Sequence, residues 1–361
     1  MQNIRAESVV STAALAEDIA FFEDRFGFRM QEIFPADDPR EAVLTGHGTR
    51  LRLRRAAQGS GVVRLLANDP ILLADGVRDL ASPGGIAVEI ADLAPAVVTP
   101  VTQQNFTVRR LADQAPWIVG RAGMQYRDLI PDRLGGAIIA SHIRIPDAGP
   151  VPDMVHFHSV GFQLIFCYKG WVDLVYEDQG PPFRLEAGNC VIQPPEIRHR
   201  VLYASEALEV IEVGVPAEHL TTIDHDLELP TRQVDAQREW AGQRFVHHRA
   251  AGADWRPARL RGFEARDTSI AQNTGGVAAV HVLRPAQDLA DWTTHSADIL
   301  FSFLLSGEMC LEGADQPSQH LTAGDAFVIP PGMKTRYSDA SAALTVLEVA
   351  LPGQFETKVA R

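Results

Sequence analysis

The residues best suited to chemistry lie in "VHFHSVGFQLIFCYKG", Val155 to Gly170. His156 and His158 are separated by one residue. On a β-strand such positions share a face and aim two imidazole nitrogens at one point. Gln163 leads the next apolar run, and a third histidine, His199, follows "QPPEIR". Three imidazoles and one amide oxygen from separate strands suit a divalent metal: zinc, iron, manganese, nickel or cobalt. The amide matters electrically. A glutamate would cancel one of the metal's two charges, whereas Gln163 leaves both. The result is a stronger Lewis acid that favours an anionic, chelating substrate such as an enolate, a 2-oxo acid or a diolate. It also supplies no carboxylate base at the metal, so any proton relay has to come from elsewhere.

Three residues are candidates for that machinery. In "AIIASHIRI", His142 and Arg144 share a strand face. If that face is inward, Arg144 can clamp a substrate carboxylate bidentately and His142 can serve as acid or base. If it is outward, both belong to solvent or an interface. Tyr203 has the parity of His199 along "HRVLY" and is the third candidate to line the cavity. Cys167 has the parity of Gln163 and reads as packing rather than as a nucleophile.

The elements that position these residues come in two copies. "HSVGFQLIFCYKG" from His158 matches "HSADILFSFLLSG" from His295, "LEAGNCVIQPPEIRHR" from Leu185 matches "LTAGDAFVIPPGMKTR" from Leu321, and "LEVIEVGVP" from Leu208 matches "LTVLEVALP" from Leu344. The offset stays between 136 and 140, so the copies keep register with few insertions. Each copy reads as short β-branched and aromatic strands between Gly and Pro clusters, the pattern of a sandwich or barrel. In the second copy the ligand positions fall on Thr293, His295, Leu300 and Thr335. One histidine cannot hold a metal, so that copy reads as structural. Arg127 and Asp128 recur there as Arg266 and Asp267, and Glu212 recurs as Glu348. Recurrence without a metal site suggests structural roles, an ion pair in the first case.

"HFHSVGFQ", then Gly170, then "GNCVIQPPEIRH" resembles the two cupin motifs, HxH followed by Glu or Gln and a glycine, then glycine, proline and histidine. The resemblance covers both copies, about 120–355, and implies a bicupin: mostly β, two double-stranded β-helix (jelly-roll) barrels. It implies His156, His158, Gln163 and His199 as the metal ligands. The N-terminal stretch differs. "AALAEDIAFFEDRFGF" spaces Leu15, Ile19, Phe22 and Phe26 as a helix. "RMQEIFP" and a hairpin around "GHG" follow, and "PGGIAVEIADLAPAVV" looks like a strand leading into a helix. The opening stretch, to "FF…FGF", resembles the glyoxalase-like (vicinal-oxygen-chelate) fold. That family's ligand positions fall at about Glu7 and Arg52, and an arginine cannot ligate a cation. The expected organisation is a degenerate α+β glyoxalase-like module over 1–115, a metal-binding barrel over 116–216, a linker over 217–255, and a metal-free barrel over 256–361.

Bulk properties narrow the partners. A net charge of -13 argues against nucleic acid or an anionic membrane surface. No apolar run approaches the length of a membrane span. Three dispersed cysteines and no basic-then-apolar leader fit a reducing cytoplasm. A small-molecule substrate and a homodimer or higher homo-oligomer are expected. Bicupins with one metal-bearing half resemble ring-cleaving dioxygenases that hold Fe(II) on three histidines, which favours Fe(II) over Zn, Ni or Mn and a dioxygenase acting on a hydroxyaromatic or enolisable substrate. Cupins with three His and one Gln also resemble non-redox isomerases, cyclases and lyases. A non-catalytic small-ligand module is the third reading.

Overall fold

The helical spacing of Leu15, Phe22 and Phe26 forms the helix Leu15–Phe26, which buries those side chains against Val10, Leu44 and Leu53. It stops at Gly27, whose φ of 69° is a left-handed cap. The computed structural model describes residues 4–113, 116–287 and 291–360 and divides into two units, Met1–Ala96 and Val97–Arg361. In the smaller unit the strands run Ser8–Thr12, Thr49–Arg55, Glu41–Gly46, Arg29–Phe34, the first pair parallel. The predicted hairpin turns at His47 and Gly48, both at positive φ (50° and 74°), as a two-residue turn requires. A second sheet joins Val62–Ala67, Ala87–Asp92 and Asp79–Ala81. No helix follows Ala87–Asp92. The prolines at 95 and 100 and the β-branched run between them keep that segment out of helix. Glu7 and Arg52 do fall together, but as an ion pair: Arg52 Nη2 lies 2.8 Å and Arg50 Nη2 2.9 Å from the Glu7 carboxylate.

The larger unit holds both copies of the repeat as barrels. In the first, a seven-stranded sheet places Phe162–Lys169 between Cys190–Ile192 and Leu208–Val215, with Ile139–Ile145 next to the last. The opposing sheet runs Phe183–Glu186, Trp171–Tyr176, His199–Ala204, His156–His158, Thr221–Ile223. The second barrel repeats this order. Period-two alternation separates two cores. Phe162, Leu164 and Phe166 join Phe301 and Phe303 of the other barrel in one shared apolar layer. Cys167 turns the other way, into the first barrel's own core with Val172 and Leu174.

Two expected boundaries change. The stretch 217–255 is not a linker: Thr221–Ile223 pairs with His156–His158, and Val246–His248 pairs with Cys190–Ile192. The stretch from Val97 belongs with the barrels, since Thr107–Arg109 pairs with Ala326–Val328; the expected boundary at 115 itself lies outside the described residues. The strand ahead of each copy thus completes the other copy's sheet. The expected ion pair within each copy does not form, because neighbours on a strand face opposite ways. Arg127 meets His142 and Asp128 meets Arg133, while Arg266 donates to the Gly188 carbonyl.

The second barrel carries a different ion pair inside. Arg259 Nε donates to Glu348 at 2.9 Å, and the Glu348 side chain is 1% exposed. Arg259→Leu leaves that carboxylate buried without a cation and is expected to cost about 3–5 kcal/mol in chemical denaturation. Arg259→Leu with Glu348→Leu, which removes both charges, should recover most of the loss.

Candidate metal centre

His156 stands directly opposite His199 in antiparallel register, and His158 opposite Thr221. Alternation puts all three imidazoles on the inner face, with ring centroids 4.2 Å (His156–His199), 5.1 Å (His156–His158) and 5.3 Å (His158–His199) apart. One nitrogen from each lies within 4.8 Å of the others, and this is the one such cluster among the described residues. Each ring is anchored by Nδ1. His156 donates to the Met154 carbonyl (2.8 Å), His199 to the Ile197 carbonyl (2.9 Å), and His158 shares a hydrogen bond with the Thr221 hydroxyl (2.9 Å). The two bonds to carbonyls select the tautomer with a lone pair on Nε2, the form that ligates a metal, and the Thr221 hydroxyl can accept from His158 in the same tautomer. Burial holds the rings neutral. It is the main reason the His158 pKa is pushed down to about 3, with His156 next, and that of His199 falls well below the ordinary value.

The donor set fits a divalent cation, and Gln163 adds a second sign. Its Nε2 donates to the Glu212 carboxylate, while its Oε1 is buried with no partner. A buried unpartnered amide oxygen is costly unless something binds it. Glu212 is itself enclosed in the barrel, and burial raises its pKa against the lowering effect of the Gln163 hydrogen bond. One contact opposes loading: Arg121 Nη2 lies 2.9 Å from His156 Nε2, with Asp153 holding its other nitrogen. A metal on His156 has to displace that guanidinium from the ring.

The histidines open on a cavity of about 370 Å³. Ile139, Ile143, Leu174 and Val210 give it apolar walls; Arg121, Ser141, Glu212 and His219 are among its polar groups. His142 and Arg144 are not among them. Their neighbours Ser141, Ile143 and Ile145 line the cavity, so the even positions face away. His142 is buried among Arg127, Glu209, Trp117, Tyr168 and Phe303, and Arg144 stacks over Trp117 while donating to Gln125. Tyr203 also departs from expectation. Pairing with the neighbouring strand skips Leu202, matching Val201 with Leu174 and Tyr203 with Asp173. That irregularity reverses the parity after Val201, so Tyr203 is 41% exposed and stacks on Trp171. Cys167 is fully buried packing, its thiol pushed up to about 12 by burial.

Sequence reasoning missed Arg121 and His219. His219 sits 5.5 Å from His158 ring to ring, with Nδ1 3.0 Å from the Pro216 carbonyl, and it lines the cavity. The repeat carried the signal, because "PAEHLTTI" aligns with "PGQFETKV" and sets His219 against Phe355. In the second barrel Thr293 faces Thr335 in the same register as His156 and His199, and His295 spends Nε2 on the Ile329 carbonyl.

No protein-family model matches the sequence, and no curated protein matches it. Solved structures do. Oxalate decarboxylase from Bacillus subtilis is similar over 73% of this chain and 79% of its own, at 12% identity and a TM-score of 0.52. Salicylate 1,2-dioxygenase from Pseudaminobacter salicylatoxidans is similar over 74% of this chain and 91% of its own (15%, 0.51). Protein Ylba from E. coli is similar over 73% and 97% (13%, 0.52). These likenesses show the fold: a mostly β chain with two cupin jelly-roll barrels.

His199→Ala is expected to remove well over half of the bound metal by elemental analysis, with His295→Ala leaving it unchanged. The metal-free protein should also lose stability in acid. Unfolded imidazoles protonate near 6.5, whereas folded His158 stays neutral to about 3. This stability is therefore complete above about pH 6.5 and is lost as pH falls toward 3, at roughly 1 kcal/mol per pH unit for each such histidine. Melting between pH 7 and 5 measures it, and His158→Leu should flatten the slope.

Proposed function

We propose that this chain is a metal-dependent dioxygenase acting on a small anionic hydroxyaromatic or enolisable substrate. The observation that carries the reading is the set of three neutral, buried imidazoles, each anchored through Nδ1, at the wall of an apolar cavity. His156, His158 and His199 would hold the metal, with Gln163 Oε1 as fourth donor. Three imidazoles accept Fe(II), Zn or Ni alike, with Mn a further alternative, and the likeness in fold to a dioxygenase is what favours Fe(II). When bound, the metal supplies Lewis acidity at a substrate oxygen and, as iron, the redox partner for O2.

The chain's own residues do the remaining work. A cavity of about 370 Å³ admits a single ring or a short branched acid, and its aliphatic walls exclude water. Arg121, released from His156, keeps its tie to Asp153 and presents its other nitrogens to a substrate carboxylate. His219 offers Nε2 to the same space and can take or return a proton. Glu212 and His219 together favour a second reading, a non-redox isomerase, cyclase or lyase, because both can move protons without oxygen. A non-catalytic small-ligand module remains the third. We further propose that the N-terminal unit is a degenerate glyoxalase-like module, on the strength of its strand–helix–three-strand order with a parallel first pair.

Metal analysis with oxygen-electrode assays separates the readings. The expected result is iron in freshly purified protein and O2 consumption with a hydroxylated aromatic acid or a diketone. Zinc or nickel as isolated, with no O2 drawn by any such compound, overturns the oxygenase reading. Arg121→Gln should raise KM for the anionic substrate at least tenfold while leaving metal content at least as high as in the unaltered protein, since the guanidinium no longer competes for His156.

A further inference from the structure

We infer that Glu212 is a positioning residue of the metal centre: through Gln163 it orients the amide oxygen as a ligand and places one carboxylate behind it. The inference rests on the reading of Gln163 as the fourth donor.

The geometry of an amide is the first support. Its oxygen and nitrogen diverge from one carbon, so a partner that fixes the nitrogen also fixes where the oxygen can point. Gln163 Nε2 donates to Glu212, and Oε1 is left buried and unpartnered. Register makes this pairing available. Gln163 lies opposite Gly214 on the adjacent strand, and Glu212, two residues along, shares the face of Gly214. Without Glu212 nothing in this arrangement distinguishes the two ends of the amide. The neutral –NH2 end repels a cation and offers no usable lone pair.

The repeat is the second support. Glu212 aligns with Glu348. In the second barrel that carboxylate meets Arg259, and the position matching Gln163 is Leu300. In the first barrel the matching carboxylate has an amide instead of a guanidinium. Glu212 is only half-buried, and Arg121 and His219 act on it from a distance rather than through a direct ion pair, so its charge is less fully compensated than that of Glu348. The histidine cluster and Gln163 occur only in the barrel that lacks the arginine. A divalent cation on His156, His158, His199 and Gln163 would therefore do electrically for Glu212 what Arg259 does for Glu348. Carboxylates behind metal-bound imidazoles do the same work, fixing the ligand and raising its donor strength, and removing one typically weakens metal binding 10–100-fold.

The test is zinc affinity of the full-length protein, stripped and reloaded, by competition with a chromophoric chelator, with folding checked by circular dichroism. Glu212→Leu is expected to bind zinc 10–100-fold more weakly. Glu212→Gln keeps the shape and can still accept from Gln163, so its loss should be smaller. The exchange Gln163→Glu with Glu212→Gln keeps one carboxylate and one amide in contact and should restore affinity at least to the wild-type value. If Glu212→Leu does not fold, the two isosteric variants carry the test. Wild-type affinity in both Glu212 variants, with affinity lost in Gln163→Leu, overturns the inference and leaves Gln163 a ligand. Wild-type affinity in Gln163→Leu removes the fourth-donor reading and this inference with it.

Discussion

The candidate centre depends on one register: His156 opposite His199 on neighbouring antiparallel strands. Residues so paired have their side chains only about 5 Å apart. Alternation then adds His158 from the same strand, and the next strand supplies Thr221 to anchor it. A slip of one residue would turn the whole row outward. The shared apolar layer resists that slip. Phe162, Leu164 and Phe166 on one barrel and Phe301 and Phe303 on the other have no alternative buried face. The exchanged strands Thr107–Arg109 and Val246–His248 add a second lock, since each closes the sheet of the other copy. The second barrel thus has a part in the structure: it holds the wall against which the histidine-bearing barrel is registered.

The two barrels are a natural comparison of what a buried carboxylate needs. Their frames agree down to Thr293 opposite Thr335. Their interiors differ. Arg259 brings a permanent charge to Glu348, and guanidinium cannot release its proton in a protein, so that barrel is complete without a ligand. The other barrel offers a cluster of three imidazoles and a carboxylate bonded to an amide, with Arg121 reaching His156 from the cavity side. One interior pairs its carboxylate with an arginine of the chain; the other pairs it with an amide.

Much of this was legible in the sequence, and the failures have physical causes. The repeat gave the two barrels, and the HxH spacing gave the face shared by His156 and His158. Parity, however, says which residues share a face and not which face is inward. His142 and Arg144 were paired correctly and lie on the wrong side, where Trp117, Tyr168 and Phe303 cover them. Parity also fails across a bulge, and the skipped Leu202 turned Tyr203 out to Trp171. The supposed linker carried no strong strand signal because its strands, such as Thr221–Ile223 and Val246–His248, are only three residues long and take their stability from pairing with distant ones. Arg121 escaped notice because the short turn between Ile118–Val119 and Gln125–Asp128 places it, and no periodicity reports such a placement.

The glutamine changes meaning once its neighbour is known. Taken alone, an amide in place of a carboxylate leaves a centre with both charges of the metal exposed. With Glu212 bonded to the far end of that amide, a centre that took Gln163 as a ligand would have its negative charge one hydrogen bond outward rather than absent. Direct coordination would fix the carboxylate and quench the metal's acidity most strongly. At one remove it would still offset the charge of a cation held there, while leaving that cation more of its pull on a bound oxygen. The same displacement leaves Glu212 on the cavity wall beside His219. The carboxylate that a glutamate ligand would have committed to a metal is thereby left facing the cavity.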